Sequence, residues 1–116
     1  MIVDDSALIV KRLLAALEEN LSNTEIISAA TGADALTALH RNKPEIVLLD
    51  IQLPDINGIE ILKTIKSTYP ETSVIMLSNQ SANHTRTTCM NAGAEAFYDK
   101  SKEFELAMEH LKNLEQ

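Results

Sequence analysis

Short apolar runs alternate along this chain with longer stretches in which apolar residues return every three or four positions. The first kind of pattern predicts buried strands and the second amphipathic helices. Ile2-Val3 is a strand stub. Ser6 is placed to cap a helix carrying Ile9, Leu13, Leu17 and Leu21 on one face, with Lys11, Arg12, Glu18 and Glu19 outside. Ile26-Ile27-Ser28-Ala29 predicts a second strand. Thr31-Gly32 opens a helix with Ala35, Leu36 and Leu39, which stops by Asn42-Lys43-Pro44 because proline cannot continue it. Ile46 to Leu49 predicts a third strand. After the loop from Gln52 to Gly58, a helix turns Ile61, Leu62 and Ile65 inward and closes at Tyr69-Pro70. Ser73 to Leu77, Ala82 to Ala92, Ala96 to Tyr98, and a last helix from about Lys102 complete the series. Phe104, Ala107, Met108, Leu111 and Leu114 form the apolar stripe of that last helix. Strands alternating with helices in this way predict a doubly wound α/β domain, a five-stranded parallel sheet flanked by five helices.

That architecture gives meaning to the polar residues at the strand ends. Asp4-Asp5 follows Ile2-Val3, Asp50 follows Ile46 to Leu49, Ser78 follows Val74 to Leu77, and Lys100 stands two residues beyond Tyr98. In one parallel sheet all of them reach the C-terminal edge, where open α/β sheets hold their ligands. Carboxylates brought that close repel, and a hard divalent cation such as Mg²⁺ relieves the repulsion with all-oxygen ligation. Three acids, a hydroxyl and an amine suit phosphoryl transfer, in which a carboxylate can attack phosphorus while positive charge neutralises the equatorial oxygens.

Composition narrows the classes. A chain of 116 residues is one domain, with hydrophobic residues at 45% and no Trp, so its core is aliphatic. Ten basic against seventeen acidic side chains give a net charge of −7, which argues against nucleic-acid binding by this domain. No apolar run approaches a membrane span, no cleavable leader is read ahead of Met1, and the single Cys89 cannot form an internal disulfide. A reducing cytoplasm is the expected setting. His40, His84 and His110 lack metal spacing, Cys89 has no adjacent base, and Glu103, Glu105 and Glu109 are expected on a solvated helix face.

Several motifs stand together: Val3-Asp4-Asp5-Ser6; Leu48-Leu49-Asp50-Ile51-Gln52-Leu53-Pro54 with Gly58 eight after the aspartate; Leu77-Ser78; and Gly93-Ala94 leading to Phe97 and Lys100. In this order and spacing, over nearly all of residues 1–116, the chain resembles the receiver domains of two-component response regulators, which have a flavodoxin-like fold. The resemblance implies that Asp50 accepts a phosphoryl group from a sensor histidine kinase or a histidine phosphotransfer protein. It implies that Asp5, Asp50 and the backbone carbonyl of Gln52 ligate Mg²⁺, with Asp4 acting through water. Ser78 and Lys100 would contact the phosphoryl oxygens, and Phe97 would be the switch aromatic that turns inward when Ser78 moves. The new charge of about −1.5 to −2 drives that movement. The readout would be the surface over the fourth helix, fifth strand and fifth helix, with phosphorylation-linked homodimerisation as one outcome. No external substrate is implied, so the chain is not expected to be an enzyme in the ordinary sense.

Some positions depart from the family pattern. The first strand has only three residues before Asp4, so it is expected to be weakly held. Ser101 follows Lys100 where many members carry a proline with a cis peptide, and a trans bond or a shifted loop is expected here. Phe97 replaces the commoner tyrosine, with Tyr98 beside it on the opposite face. Gln52 and Gln80 flank the site and are expected to tune attack of water on the acyl phosphate.

Two other readings compete. A degenerate receiver would serve only as an interaction module. An aspartate-nucleophile phosphatase of the haloacid dehalogenase type needs a second aspartate two past the nucleophile, and that position is Gln52. The sequence stops at Gln116 after the fifth helix, so the expectation is a domain acting alone on a downstream protein or one cut from a longer protein with an output portion.

Overall fold

A computed structural model describes residues 1–20, 25–79 and 83–114. Its elements are β1 (Ile2–Val3), α1 (Ala7–Asn20), β2 (Ser28–Ala29), α2 (Gly32–Asn42), β3 (Ile46–Asp50), α3 (Gly58–Thr68), β4 (Ser73–Ser78), α4 (Asn83–Asn91), β5 (Ala96–Asp99) and α5 (Phe104–Leu114). The strands form one sheet in the order β2-β1-β3-β4-β5, and every neighbouring pair is parallel. The expected doubly wound α/β architecture is therefore present. Chain order reverses between β1 and β3, which is the switch point where such sheets bind ligands.

Side chains alternate across each strand, and this splits the core in two. Val3, Val47, Leu49, Val74, Met76 and Phe97 pack with Ala35, Leu39, Ile61, Leu62, Ile65 and Cys89 from α2, α3 and α4. Ile2, Leu48, Ile75 and Leu77 face the other way, against Leu13 and Leu17 of α1 and Phe104, Ala107 and Leu111 of α5. Strands buried on both faces need apolar residues at every position, hence the continuous runs in the sequence. Cys89 is core packing.

Several boundaries differ from the sequence reading. β2 begins at Ser28, so Ile26 and Ile27 lie before it, although the Ile27 carbonyl still accepts from the Ile2 N–H at 2.8 Å. Strands β3, β4 and β5 each run one residue further than expected, to Asp50, Ser78 and Asp99. Helix α5 starts at Phe104 rather than Lys102, because the intervening residues form a turn. Leu21, Gln80 and Ala82, to which the sequence reading gave places, lie outside the described residues.

The short β1 is also held more firmly than expected. It is interior, and Asp4 N–H donates to the Ala29 carbonyl at 3.0 Å on one side. On the other side Leu48 N–H donates to the Met1 carbonyl at 2.8 Å, and the Met1 ammonium donates to the Ile46 carbonyl at 2.7 Å. Ladder bonds from both neighbours compensate for its length.

Two devices fix the loop that follows Asp50. The N–H groups of Gly32 and Ala33, at the start of α2, donate to the Asp55 carboxylate at 2.7 and 3.0 Å. These orphan donors favour negative charge, and they hold the Asp55 carboxyl below the usual carboxylate range. At the loop's other end Gly58 N–H donates to the Ile51 carbonyl at 2.7 Å, and Asn57 caps α3 by accepting from Ile59 N–H. A Cβ on Gly58 would stand 2.1 Å from the Asp50 carbonyl oxygen and 2.7 Å from the Ile51 Cα.

Because those obstructing atoms are backbone, Gly58→Ala is expected to cost about 2–3 kcal/mol in urea unfolding, toward the upper end for overpacking. Asp55→Ala should lower the melting temperature at neutral pH. A depressed folded-state pKa gives stability that is present above the unfolded value of 3.8 and lost as pH falls through the folded value. Thermal scans of the two proteins should therefore converge under strongly acidic conditions.

Candidate functional site

The register of the sheet decides which strand ends meet. Val3 pairs with Leu49, so Asp4 and Asp50, the next residues, leave β1 and β3 side by side. Asp50 pairs with Leu77 and Ser78 with Asp99, which puts Ser78 and then Lys100 on the next two strand ends. Asp4, Asp5 and Asp50 each offer a carboxylate oxygen, and these atoms lie within 4.8 Å of one another. Asp4 and Asp50 are buried, whereas Asp5 is exposed. A divalent cation with ligand oxygens about 2.0–2.6 Å away fits an all-carboxylate cluster of this spread, so the cluster could hold one.

Lys100 reaches this cluster. Its ammonium lies 2.5 Å from Asp4 Oδ2 and 3.0 Å from Asp50 Oδ2, and the residue is only 5% exposed. No cis peptide occurs among the described residues, so the Lys100-Ser101 bond is trans, as expected. The other oxygens of the buried pair are engaged nearby. Asp4 Oδ1 accepts from Ser6 N–H at 2.9 Å and Asp50 Oδ1 from Gln52 N–H at 3.3 Å. Ser6 also caps α1, its Oγ accepting from Ile9 N–H at 3.3 Å.

Burial pushes the Asp50 carboxyl above its ordinary pKa of 3.8. Lys100 pulls it back by hydrogen bond and by charge, Asp4 pushes it up again, and the Gln52 N–H lowers it slightly. The net direction is upward. A carboxylate that is costly to ionise alone gains more from a neighbouring cation than an exposed one does.

Ser78 is buried at the end of β4, and its carbonyl accepts from the Lys100 N–H at 3.0 Å. Phe97 is buried in the core on the α4 side, so the inward position expected only after Ser78 moves is the one it already occupies. Tyr98 faces the other layer, where its hydroxyl and His110 Nδ1 are 2.7 Å apart, so the two aromatics do occupy opposite faces. Gln52 is exposed beside Asp50 and forms an isolated bridge with Asn57.

Four residues around the site were not legible in this role. Asp55 clasps the loop to α2 as described. Arg86 on α4 lies over the Phe97 ring at 4.9 Å from its centroid and donates to the Phe97 carbonyl at 2.7 Å. Its guanidinium also pairs with Glu103 at 3.2 Å. Glu103 is thus not the freely solvated residue expected: the same Oε1 accepts from the Asp99 N–H at 3.0 Å. Asp99 folds the turn after Lys100, and the Asp-x-Ser pattern of Asp99-Lys100-Ser101 is the one sequence signal that could have found it. Nothing in sequence joins Arg86 to partners so far along the chain.

The model of the response regulator receiver domain family matches residues 1–112. This chain belongs to that family. It is 39% identical over 111 residues to a protein-glutamate methylesterase/protein-glutamine glutaminase of Clostridium acetobutylicum, covering 92% of this chain and 32% of that protein. A probable transcriptional regulatory protein, TcrX, of Mycobacterium tuberculosis is 29% identical over 98% of this chain and 48% of its own length. The chain thus spans half or less of these curated relatives. Among solved structures, the signal receiver domain of a DNA-binding response regulator from Colwellia psychrerythraea superposes with a TM-score of 0.92 at 29% identity, covering 99% of this chain and 96% of that one. The BeF3-activated DrrB receiver domain gives a TM-score of 0.87 at 32% identity, covering 99% and 95%. Receiver domains direct phosphoryl chemistry at themselves rather than at an external substrate. No helix among the described residues is long and apolar enough to cross a membrane.

The raised pKa of Asp50 makes a stability prediction. The folded state binds this proton more tightly than the unfolded one, so stability falls as pH rises from the unfolded value of 3.8 through the folded value. In EDTA, Asp50→Asn should therefore melt above wild type at neutral pH, and the gap should close as the solution is acidified. Thermal scans across the acidic range check this.

Proposed function

We propose that Asp50 is the phosphoacceptor of a working receiver domain comprising the whole chain, charged by the phosphohistidine of a sensor histidine kinase or histidine phosphotransfer protein. The observation that carries the reading is the convergence of Asp4, Asp5 and the Lys100 ammonium on Asp50 at the switch-point edge, with Ser78 on the adjoining strand end. An Asp50 carboxylate oxygen attacks phosphorus, the P–N bond to the donor imidazole breaks, and the imidazole nitrogen leaves with its electron pair and takes a proton from solvent. Lys100, already within 3.0 Å of Asp50, neutralises charge gained by the phosphoryl oxygens, and the Ser78 hydroxyl donates to one of them. Asp5, Asp50 and the Gln52 carbonyl would hold Mg²⁺, with Asp4 acting through water. Bound there, the cation supplies charge neutralisation and orientation.

Phe97 is the proposed switch residue. Movement of Ser78 toward the new phosphoryl group opens space behind it into which the already buried Phe97 ring shifts further, carrying Arg86 with it and changing the face formed by α4, β5 and α5. Couplings of this sort usually amount to about 1–3 kcal/mol. That face would contact a downstream protein, an output portion of a longer chain, or a second copy. The structure of a related receiver domain in a BeF3-activated form supports a two-state reading. A degenerate receiver is disfavoured because acids, hydroxyl and amine are all in register.

Intact-mass measurement after incubation with acetyl phosphate tests the assignment. A Mg²⁺-dependent phosphoryl adduct is expected on wild type, sensitive to hydroxylamine, absent in EDTA and absent from Asp50→Asn. A folded wild type that takes no label, or an Asp50→Asn protein labelled at an equal rate, would refute it. Sedimentation of the phosphorylated protein should show a larger species if the face pairs with a second copy.

A further inference from the structure

The geometry points to Asp99 as a positioning residue for Lys100, acting by closing the turn from which the ammonium reaches Asp4 and Asp50. The inference rests on the proposed role of Lys100 in phosphoryl transfer and deepens it. A lysine has a flexible four-carbon stem, and placing its head accurately requires a fixed backbone position. Three sets of bonds fix that position here. Lys100 N–H donates to the Ser78 carbonyl at 3.0 Å, tying it to the end of β4. Beyond it the chain bends back on the Asp99 carboxylate, which is 5% exposed. Asp99 Oδ1 accepts from Ser101 N–H at 2.8 Å, Ser101 Oγ at 2.8 Å and Lys102 N–H at 3.0 Å. Glu103 completes the closure, its N–H donating to the Asp99 carbonyl at 2.9 Å while its Oε1 accepts from the Asp99 N–H at 3.0 Å.

Lys100 is thus flanked by a residue that anchors both of its C-terminal neighbours, and the turn is made with a trans peptide. Proline at 101 could donate neither of the two bonds that Ser101 gives to Asp99. Asp99 and Ser101 therefore form a matched pair, and they account for a buried lysine head at a position where the family often uses a different turn. A plain alternative is that Asp99 only caps the start of α5. That role would affect melting temperature but not Lys100 in particular.

The two are separated by measuring Lys100 directly. Acetic anhydride labelling of the full chain, read by peptide mass spectrometry, compares Lys100 with the exposed Lys43 and Lys112. In Asp99→Ala, Lys100 labelling should rise about tenfold with the other two unchanged, and phosphoryl uptake from acetyl phosphate should slow about tenfold, the scale of a sub-ångström misplacement. Mg²⁺ affinity should not fall, because a less closely held ammonium leaves the Asp4 and Asp50 carboxylates more negative. In a Lys100→Met background, Asp99→Ala should slow uptake by no more than about twofold further, since a residue acting through another has nothing left to act on. A folded Asp99→Ala protein with Lys100 labelled as in wild type overturns the inference. So does an equal slowing whether or not Lys100 is present. If Asp99→Ala does not fold, Ser101→Ala at the exposed partner replaces it: faster Lys100 labelling supports the inference and unchanged labelling overturns it. Failure of wild type to take up phosphate would sink the proposed function alone, because the labelling comparison still decides the part played by Asp99.

Discussion

Charge balance at one edge of the sheet governs the rest of this molecule. Parallel register leaves Asp4 and Asp50 side by side, both largely out of water, and a single buried ammonium bridges them. Isolated buried charges are costly, so each of these groups is tolerable only because the others are near. The neutralisation is partial: the Asp50 carboxyl stays raised despite its lysine partner, and Asp5 adds a third negative group at the rim. An edge with two buried carboxylates, one exposed carboxylate and one ammonium has room for further positive charge. Under the proposed function, the existing balance is also lost when the Asp50 carboxylate becomes an acyl phosphate.

The same edge explains what could be read in advance. Strand ends announce themselves because a run buried on both faces must be apolar throughout, so the first polar residue after it marks the sheet's edge. Asp4, Asp50 and Ser78 follow that rule directly. Lys100 breaks it by coming two residues late, and only the spacing of the whole set singled it out. Element ends were less legible: Ile26 and Ile27 look like strand residues but precede β2, with a single ladder bond, from Ile2 N–H to the Ile27 carbonyl, reaching them from β1. The turn after Asp99 delays α5 for a related reason, its backbone donors being drawn to a side-chain acceptor.

What escaped the sequence is the layer of residues that hold the first ones in place. Glu103 sits in a run of acidic positions typical of a solvated helix, yet its carboxylate joins Asp99 to Arg86. Arg86 in turn grips Phe97 by ring and by carbonyl. A continuous set of contacts therefore runs from the turn beside Lys100 to the middle of α4. The two hydrogen bonds that Arg86 makes in this set span eleven and seventeen positions, beyond the reach of any local periodicity.

Arg86 has one more effect. A parallel sheet has two open sides, and unpaired carbonyls along an open side invite another extended chain to add itself. On one side this sheet ends in β2, only two residues long, too short to template much. On the other it ends in β5, where the Phe97 carbonyl is already taken by a guanidinium. The contact that holds a core aromatic in place thus also caps the longer border, so that the flank of β5 is presented to partners as side chains rather than as backbone.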